Sequence, residues 1–241
     1  MSLCGYSTDR ARNDTCNGRL TIYTLIIFAL IFAGLESLAV WKGWRYLEFV
    51  VKPAVMICLF VWLYTTAGLQ GALLWFGIGV LFSLGGDIFL MFIDRFFMLG
   101  LVAFLLGHIA YLVGFNTPFP QSLGVWAFGI AIVVGLSAVR LLRRIVRGVR
   151  SKQKRLVVPV IAYSTVITLM LLSALLTLFR PDWKATPAYL VSLGAFLFYL
   201  SDIILAWNRF VAPIKNGRML NIGIYHLAQI AIVVGVAIQF G

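Results

Sequence analysis

The chain has 241 residues, 62% of them hydrophobic and only 12% charged, and its mean hydropathy is +0.99. A soluble domain is about half apolar and about a quarter charged, so a soluble globular fold is excluded. The composition fits an all-α integral membrane bundle of about eight transmembrane helices. In a soluble chain the net charge of +12 would suggest nucleic acid. Here the excess falls between apolar runs, where a positive-inside bias accounts for it, and no nucleic-acid partner is expected.

Residues 1–19 read as a polar, disordered N-terminal tail, and residues 20–241 as one polytopic transmembrane domain. The tail carries Cys4 and Cys16, which would pair in an oxidising compartment or stay as free thiols elsewhere, and an Asn13-Asp14-Thr15 glycosylation pattern. Helix one is expected over residues 20–40; it is long enough to span and lacks a small-residue cleavage site. Helix two is expected over 46–68, with Lys52-Pro53 in its first turns, and helix three over 71–93. Asp94-Arg95 then turns the chain into helix four, residues 96–115. An uncharged loop, 116–122, leads to helix five over 123–142. A basic run, 140–155, holds eight Lys/Arg and no acid, and reads as a solvated cytoplasmic loop attracted to anionic lipid. Helices six, seven and eight are expected over 156–179, 188–207 and 219–240. Fifteen Lys/Arg follow the odd-numbered helices and five lie elsewhere. The richer side is expected to be cytoplasmic, with both termini on the other side.

Two stretches stand out in this pattern. Asp87, in Leu84-Gly85-Gly86-Asp87, and Asp202, in Leu200-Ser201-Asp202, each sit inside a run that otherwise reads as hydrocarbon-facing helix. One ionisable group at such depth costs about 2.5–3.5 kcal/mol on insertion scales. Both lie five or six residues from the basic end of their helix, about 8–10 Å deep at 1.5 Å per residue. The acids are expected to face each other and work as a general acid/base pair, with one protonated beside one ionised carboxylate. The alternative is that each is neutral, or paired with Lys52, Arg95 or Arg209, and only holds the bundle together. A weak internal repeat relates the two. Leu90 matches Leu205, and His108 and His226 follow in the next helix each time, as in two parallel four-helix halves.

Other residues gather around these acids. Lys52 either snorkels to the headgroups or contacts a phosphate or one Asp. His226 is expected to hydrogen-bond within the cavity, and His108 to be a satisfied core histidine. With the two acids the histidines could make an Asp2His2 site, but no HxxxH or HxxE spacing occurs and no metal is expected. Asn221, Tyr225 and Gln229 form a polar stripe at i, i+4 and i+8 that should face inward. Tyr111 follows His108 by three residues. Tyr163 and Tyr199 either line the cavity or anchor at an interface.

Lys52-Pro53, Gly86-Asp87-x-x-Leu90, Gly107-His108-x-x-Tyr111, Tyr163, Ser201-Asp202-x-x-Leu205-Ala206 and Ala228-Gln229 occur in order. Together, over residues 52–229, they resemble the YhhN-type lysoplasmalogenase family of multi-pass membrane proteins. The resemblance implies hydrolysis of the vinyl ether of a lysoplasmalogen, a lysophospholipid, to a fatty aldehyde and glycerophosphoethanolamine or glycerophosphocholine. It implies no cofactor, and it places the catalytic pair on Asp87 and Asp202. The chemistry suits two acids. Protonation of the vinyl β-carbon gives an oxocarbenium ion that water captures, which needs a desolvated acid and a nearby carboxylate. A lipid could enter from the inner leaflet with Lys52 or His226 near its phosphate. Two other readings use the same acids: a proton-coupled transporter with Asp87 and Asp202 as a relay, and an intramembrane aspartyl protease. The second lacks the GxGD pattern, since Leu84 stands three before Asp87.

Overall fold

The computed structural model describes residues 7–120 and 125–241. These form eight long helices: α1 (Ser7–Lys42), α2 (Arg45–Ala67), α3 (Ala72–Met91), α4 (Ile93–Phe115), α5 (Val125–Lys152), α6 (Val157–Leu176), α7 (Ala185–Ala206) and α8 (Gly217–Phe240). Each contains a stretch long and apolar enough to cross a membrane, and there is no strand among the described residues. The molecule is an all-α membrane bundle. Cys4 and the side chains of Asn13 and Cys16 lie outside the described residues. So does 121–124, which the sequence divides between a loop and the start of helix five.

Glycines set how closely the central helices approach. A Cβ on Gly86 of α3 would come within 2.5 Å of the Phe104 ring of α4, and one on Gly114 of α4 within 2.8 Å of Phe76. Gly194 of α7 leaves a Cβ only 2.9 Å from the Ala228 carbonyl of α8. Small residues facing bulky ones let membrane helices interlock where hydrophobic driving force is absent. The α3–α4 and α7–α8 hairpins are the two most intimately packed pairs, and these are the segments carrying the sequence repeat.

Several boundaries differ from the sequence reading, each for a local reason. α1 begins at Ser7, so residues 7–19 continue a helix instead of forming a loose tail. The turn between α3 and α4 falls at Phe92 (φ −108°, ψ 49°), ahead of Asp94-Arg95, and Phe96 adds a non-helical residue one turn later. Pro53 is the ninth residue of α2, beyond the first turn, so the Phe49 carbonyl loses its usual helical donor. The basic run is helical: α5 continues to Lys152. Leu141, Leu142, Ile145 and Val149 recur at helical spacing between the arginines, and Ile145 and Val149 are buried against Phe210 and Phe97. Even Gly148 is used, because a Cβ there would collide with the Phe210 carbonyl. α7 runs into a π-helical turn, Trp207–Val211, a feature often found at functional sites.

Candidate functional site

Asp87 is 1% exposed. Its Oδ1 lies 3.4 Å from the Lys52 ammonium of α2, and its Oδ2 accepts a 2.7 Å hydrogen bond from the Tyr225 hydroxyl of α8. Lys52 therefore turns inward to a carboxylate and does not snorkel to the headgroups. The Tyr225 oxygen in turn accepts from Gln229 Nε2 at 3.5 Å, and Gln229 Oε1 accepts from the Tyr111 hydroxyl of α4 at 2.7 Å. The i, i+4 spacing puts Tyr225 and Gln229 on one face of α8, and α4 supplies Tyr111 opposite. The result is a buried donor chain, Tyr111 to Gln229 to Tyr225 to Asp87. Both oxygens of the Asp87 carboxyl are therefore engaged, one by a cation and one by a hydroxyl donor.

Asp202 keeps different company. Its Oδ2 accepts a hydrogen bond from the Tyr163 hydroxyl of α6 and stands 3.8 Å from His108 Nε2 of α4. The other ring nitrogen, Nδ1, lies 2.5 Å from the Phe104 carbonyl. A carbonyl only accepts, so Nδ1 carries the hydrogen and Nε2 presents either a lone pair or a second proton to Asp202. His108 is thus a partner of the acid, not a bystander in the core. No Lys or Arg lies within ion-pair distance of Asp202 among the described residues.

The two acids are not a directly bonded pair. No hydrogen bond joins them among the described residues; aromatic rings connect their surroundings instead. The Phe198 ring is 5.3 Å from Tyr225 on one side and 4.6 Å from His108 on the other, and Phe104 packs on both Phe198 and Tyr225. The partners are exchanged between the sequence halves. Asp87 of the first half is met by Tyr225 of the second, and Asp202 of the second by His108 of the first. His226 goes elsewhere, to Glu36 Oε2 of α1 at 2.5 Å, and is 1% exposed. His226 Nε2 is thus engaged by Glu36 and not by either aspartate.

Two cavities meet at these residues. One, of about 650 Å³, is basic: Arg45, Lys52, Arg95, Arg209 and Arg218 line it, with Glu48 as the acid and Asn221 beside it. Glu48 is tied to Arg218, and Asn221 Nδ2 donates to the Ser201 carbonyl at 2.7 Å. The other, of about 260 Å³, is apolar; Tyr163, Tyr199 and Asp202 are among its few polar linings, and α5 supplies part of its wall. Leu90 and Leu205 line both. They are the repeated leucines three residues after each Asp, which i, i+3 spacing places on the same helix face. Asp87 lines neither of these cavities; Lys52 stands between it and the basic one.

Sequence reasoning missed Glu36, Glu48 and Arg218 as a histidine partner and a rim ion pair. Glu48 sits one turn inside α2 and Arg218 at the start of α8, a depth that could have flagged them as facing each other across the helix ends. The sequence offers Arg209 as a loop charge or as a partner of an aspartate; the π-turn brings its guanidinium 4.2 Å over the Phe97 ring.

Comparison with known proteins adds one finding. A search of curated proteins and a search of solved structures each gave no match. The family model described as YhhN family matches residues 47–236, a span that takes in both acids, their hydroxyl and imidazole partners and the shared leucines. By that match the chain belongs to the YhhN family.

Proposed function

We propose that this chain is a membrane hydrolase that cleaves the vinyl ether bond of a lysoplasmalogen or related lyso-ether lipid. The observation that carries the reading is the placement of Asp202. It lies in an apolar cavity whose Leu90–Leu205 wall is shared with a basic one. A substrate with one hydrocarbon chain and one phosphate would lay the chain in the first and the polar end in the second. Its vinyl ether, near the junction, would then lie within reach of Asp202.

The steps follow from the neighbours. Asp202, protonated and hydrogen-bonded by Tyr163, gives its proton to the β-carbon, and the ether oxygen shares the resulting positive charge. Water adds to the α-carbon while the Asp202 carboxylate, with His108 Nε2 behind it, takes the proton that the water releases. The hemiacetal collapses as its hydroxyl proton moves to the departing glycerol oxygen, giving aldehyde and alcohol. A positioned acid of this kind contributes about 10²–10⁴-fold. Asp87 acts through Lys52, as a positioning residue: its charge holds the ammonium at the floor of the basic cavity. The Lys/Arg excess at that end of the bundle supports a cytoplasmic placement of the basic cavity.

The test is purified protein in detergent with mixed lyso-vinyl-ether and lyso-ester lipids, reading fatty aldehyde and residual lipid. Aldehyde release from the vinyl ether lipid alone is expected; its absence from active-folded protein would remove the proposal. The donor chain Tyr111–Gln229–Tyr225–Asp87 favours a second reading, a proton relay in a transporter. A transporter would release no aldehyde in detergent and would move protons only across a sealed vesicle.

A further inference from the structure

The outward face of α5 changes chemistry abruptly along its length. Ile132, Val133, Leu136 and Val139 are exposed on it, and Arg140, Arg143, Arg144, Arg147 and Arg150 follow, all exposed as well. At 3.6 residues per turn these arginines occupy an arc of about 120°, and the four apolar residues fall on the same side of the helix. The opposite side holds Ile145 and Val149, buried against Phe97 and Phe210, so packing fixes which way the arginines face. α5 has 28 residues and is about 42 Å long at 1.5 Å per residue. That exceeds the hydrocarbon core of about 30 Å, so its basic end passes through the headgroup layer. One stripe therefore offers apolar surface and then guanidiniums, the order in which a phospholipid presents its acyl chain and its phosphate.

Charge selects the kind of phospholipid. Residues 140–155 hold eight Lys/Arg and no acid, so no carboxylate in the run would receive a choline or ethanolamine cation. Acids elsewhere are too few to neutralise it. Of the eight Asp/Glu in the chain, Glu36, Glu48, Asp87, Asp182 and Asp202 are each engaged with another group. Only Asp9, Asp14 and Asp94 are left to set against the eight cations. Among the described residues none of the five arginines is in an ion pair. Arg147 Nε donates to the Arg143 carbonyl at 3.3 Å, which leaves its terminal N–H groups to a ligand. We infer that this stripe of α5 is a binding surface for anionic phospholipid. The acyl chain lies along Ile132, Leu136 and Val139, and the phosphate sits among Arg140, Arg143, Arg144 and Arg147. The surface stands whether or not the chain is a hydrolase.

The test reconstitutes the full chain in phosphatidylcholine vesicles carrying a trace of spin-labelled phosphatidylglycerol or, separately, spin-labelled phosphatidylcholine. The fraction of label whose motion the protein restricts gives the relative association of the two lipids. Phosphatidylglycerol should associate at least about threefold more strongly at low salt. Raising the salt should shrink that ratio in the unaltered protein, which needs no variant to fold. In Arg140→Gln/Arg143→Gln/Arg144→Gln/Arg147→Gln the ratio should fall below about 1.5, and the matching four-Lys variant should restore it, because both cations attract the anionic headgroup. A ratio near one in the unaltered chain, or one that neither salt nor the four-Gln variant changes, would overturn the surface. An acidic polypeptide is the rival occupant. If polyglutamate binds the detergent-purified chain, loses that binding in the four-Gln variant, and the lipid ratio is near one, the lipid surface is overturned and the arginines belong to a protein partner.

Discussion

Asp87 and Asp202 occupy matching places in two hairpins of the same bundle, yet their neighbours differ in kind. Around Asp87 everything is fixed: a lysine, a tyrosine and, behind that, a glutamine and a second tyrosine, all buried. Around Asp202 there is one hydroxyl donor, an imidazole nitrogen whose protonation is not set by a bond, and an apolar cavity. A charge that is paired and hydrogen-bonded is tolerable at depth, and removing one partner leaves the other stranded. The Asp202 carboxyl has no Lys or Arg within ion-pair distance among the described residues and is met by one hydroxyl and one imidazole beside an apolar cavity. Under the proposed mechanism, the same residue type in the same helix register serves as structure in one half and as a proton source in the other.

Substitutions can break that contrast. Asp202→Asn should lower aldehyde release by about 10³-fold while leaving the thermal midpoint in detergent close to the original. Normal turnover in this variant would remove Asp202 from the chemistry. Asp87→Asn should do the reverse in emphasis. It leaves Lys52 buried without its counter-charge, at a cost of about 3–5 kcal/mol, seen as a lower unfolding midpoint and poor recovery. Replacing both partners, Lys52→Met with Asp87→Leu, should recover much of that stability but not the activity. A midpoint no higher than in Asp87→Asn would show that the pair is not what matters.

Tyr163→Phe sharpens the comparison on the other side. It removes a hydrogen bond to the reacting carboxyl, worth about 1.5–3 kcal/mol when charge is involved, so activity should drop about 10–100-fold with little change in stability. Tyr225→Phe should move stability more than rate. The smallest effect is expected at the far end of the bundle, outside the spans. There Arg180 hydrogen-bonds both oxygens of Asp182 and also donates to the Phe115 and Pro118 carbonyls. These hydrogen bonds hold the Asp182 carboxyl below the usual carboxylate range. A lowered folded value means the stabilisation is full above about pH 4 and is lost as pH falls through the lowered value. Asp182→Asn should therefore cost about 1–3 °C at neutral pH, and the difference from the unaltered protein should vanish in strong acid.

Much of this was legible in the sequence, because the bilayer makes simple demands. Apolar runs fixed the number of helices, and polar residues inside them marked what must face inward. Tyr225 and Gln229 could be read as one face from their spacing alone, and the Asp-x-x-Leu repeat marked the two leucines that now line both cavities. Less accessible was which helix meets which. The exchange that gives Asp87 a tyrosine from α8 and Asp202 a histidine from α4 depends on packing between halves, and spacing within one helix carries no trace of it. The same holds for His226, whose partner Glu36 is 190 residues away. The basic run was misread as a loop because its charge hides an apolar face. The π-turn after α7 was invisible because nothing in Trp207-Asn208-Arg209-Phe210 breaks a helix.

One wall of the apolar cavity comes from α5, where Gly135 has open space around it and Ile132, Val133 and Leu136 are widely exposed. A compartment bounded by such a helix has no firm back stop. A tail too long for it would slide out among neighbouring acyl chains at no cost in burial. The protein should then be a poor ruler: it would sort lipids by the bond at the junction and the group above it, and hardly at all by the number of methylenes.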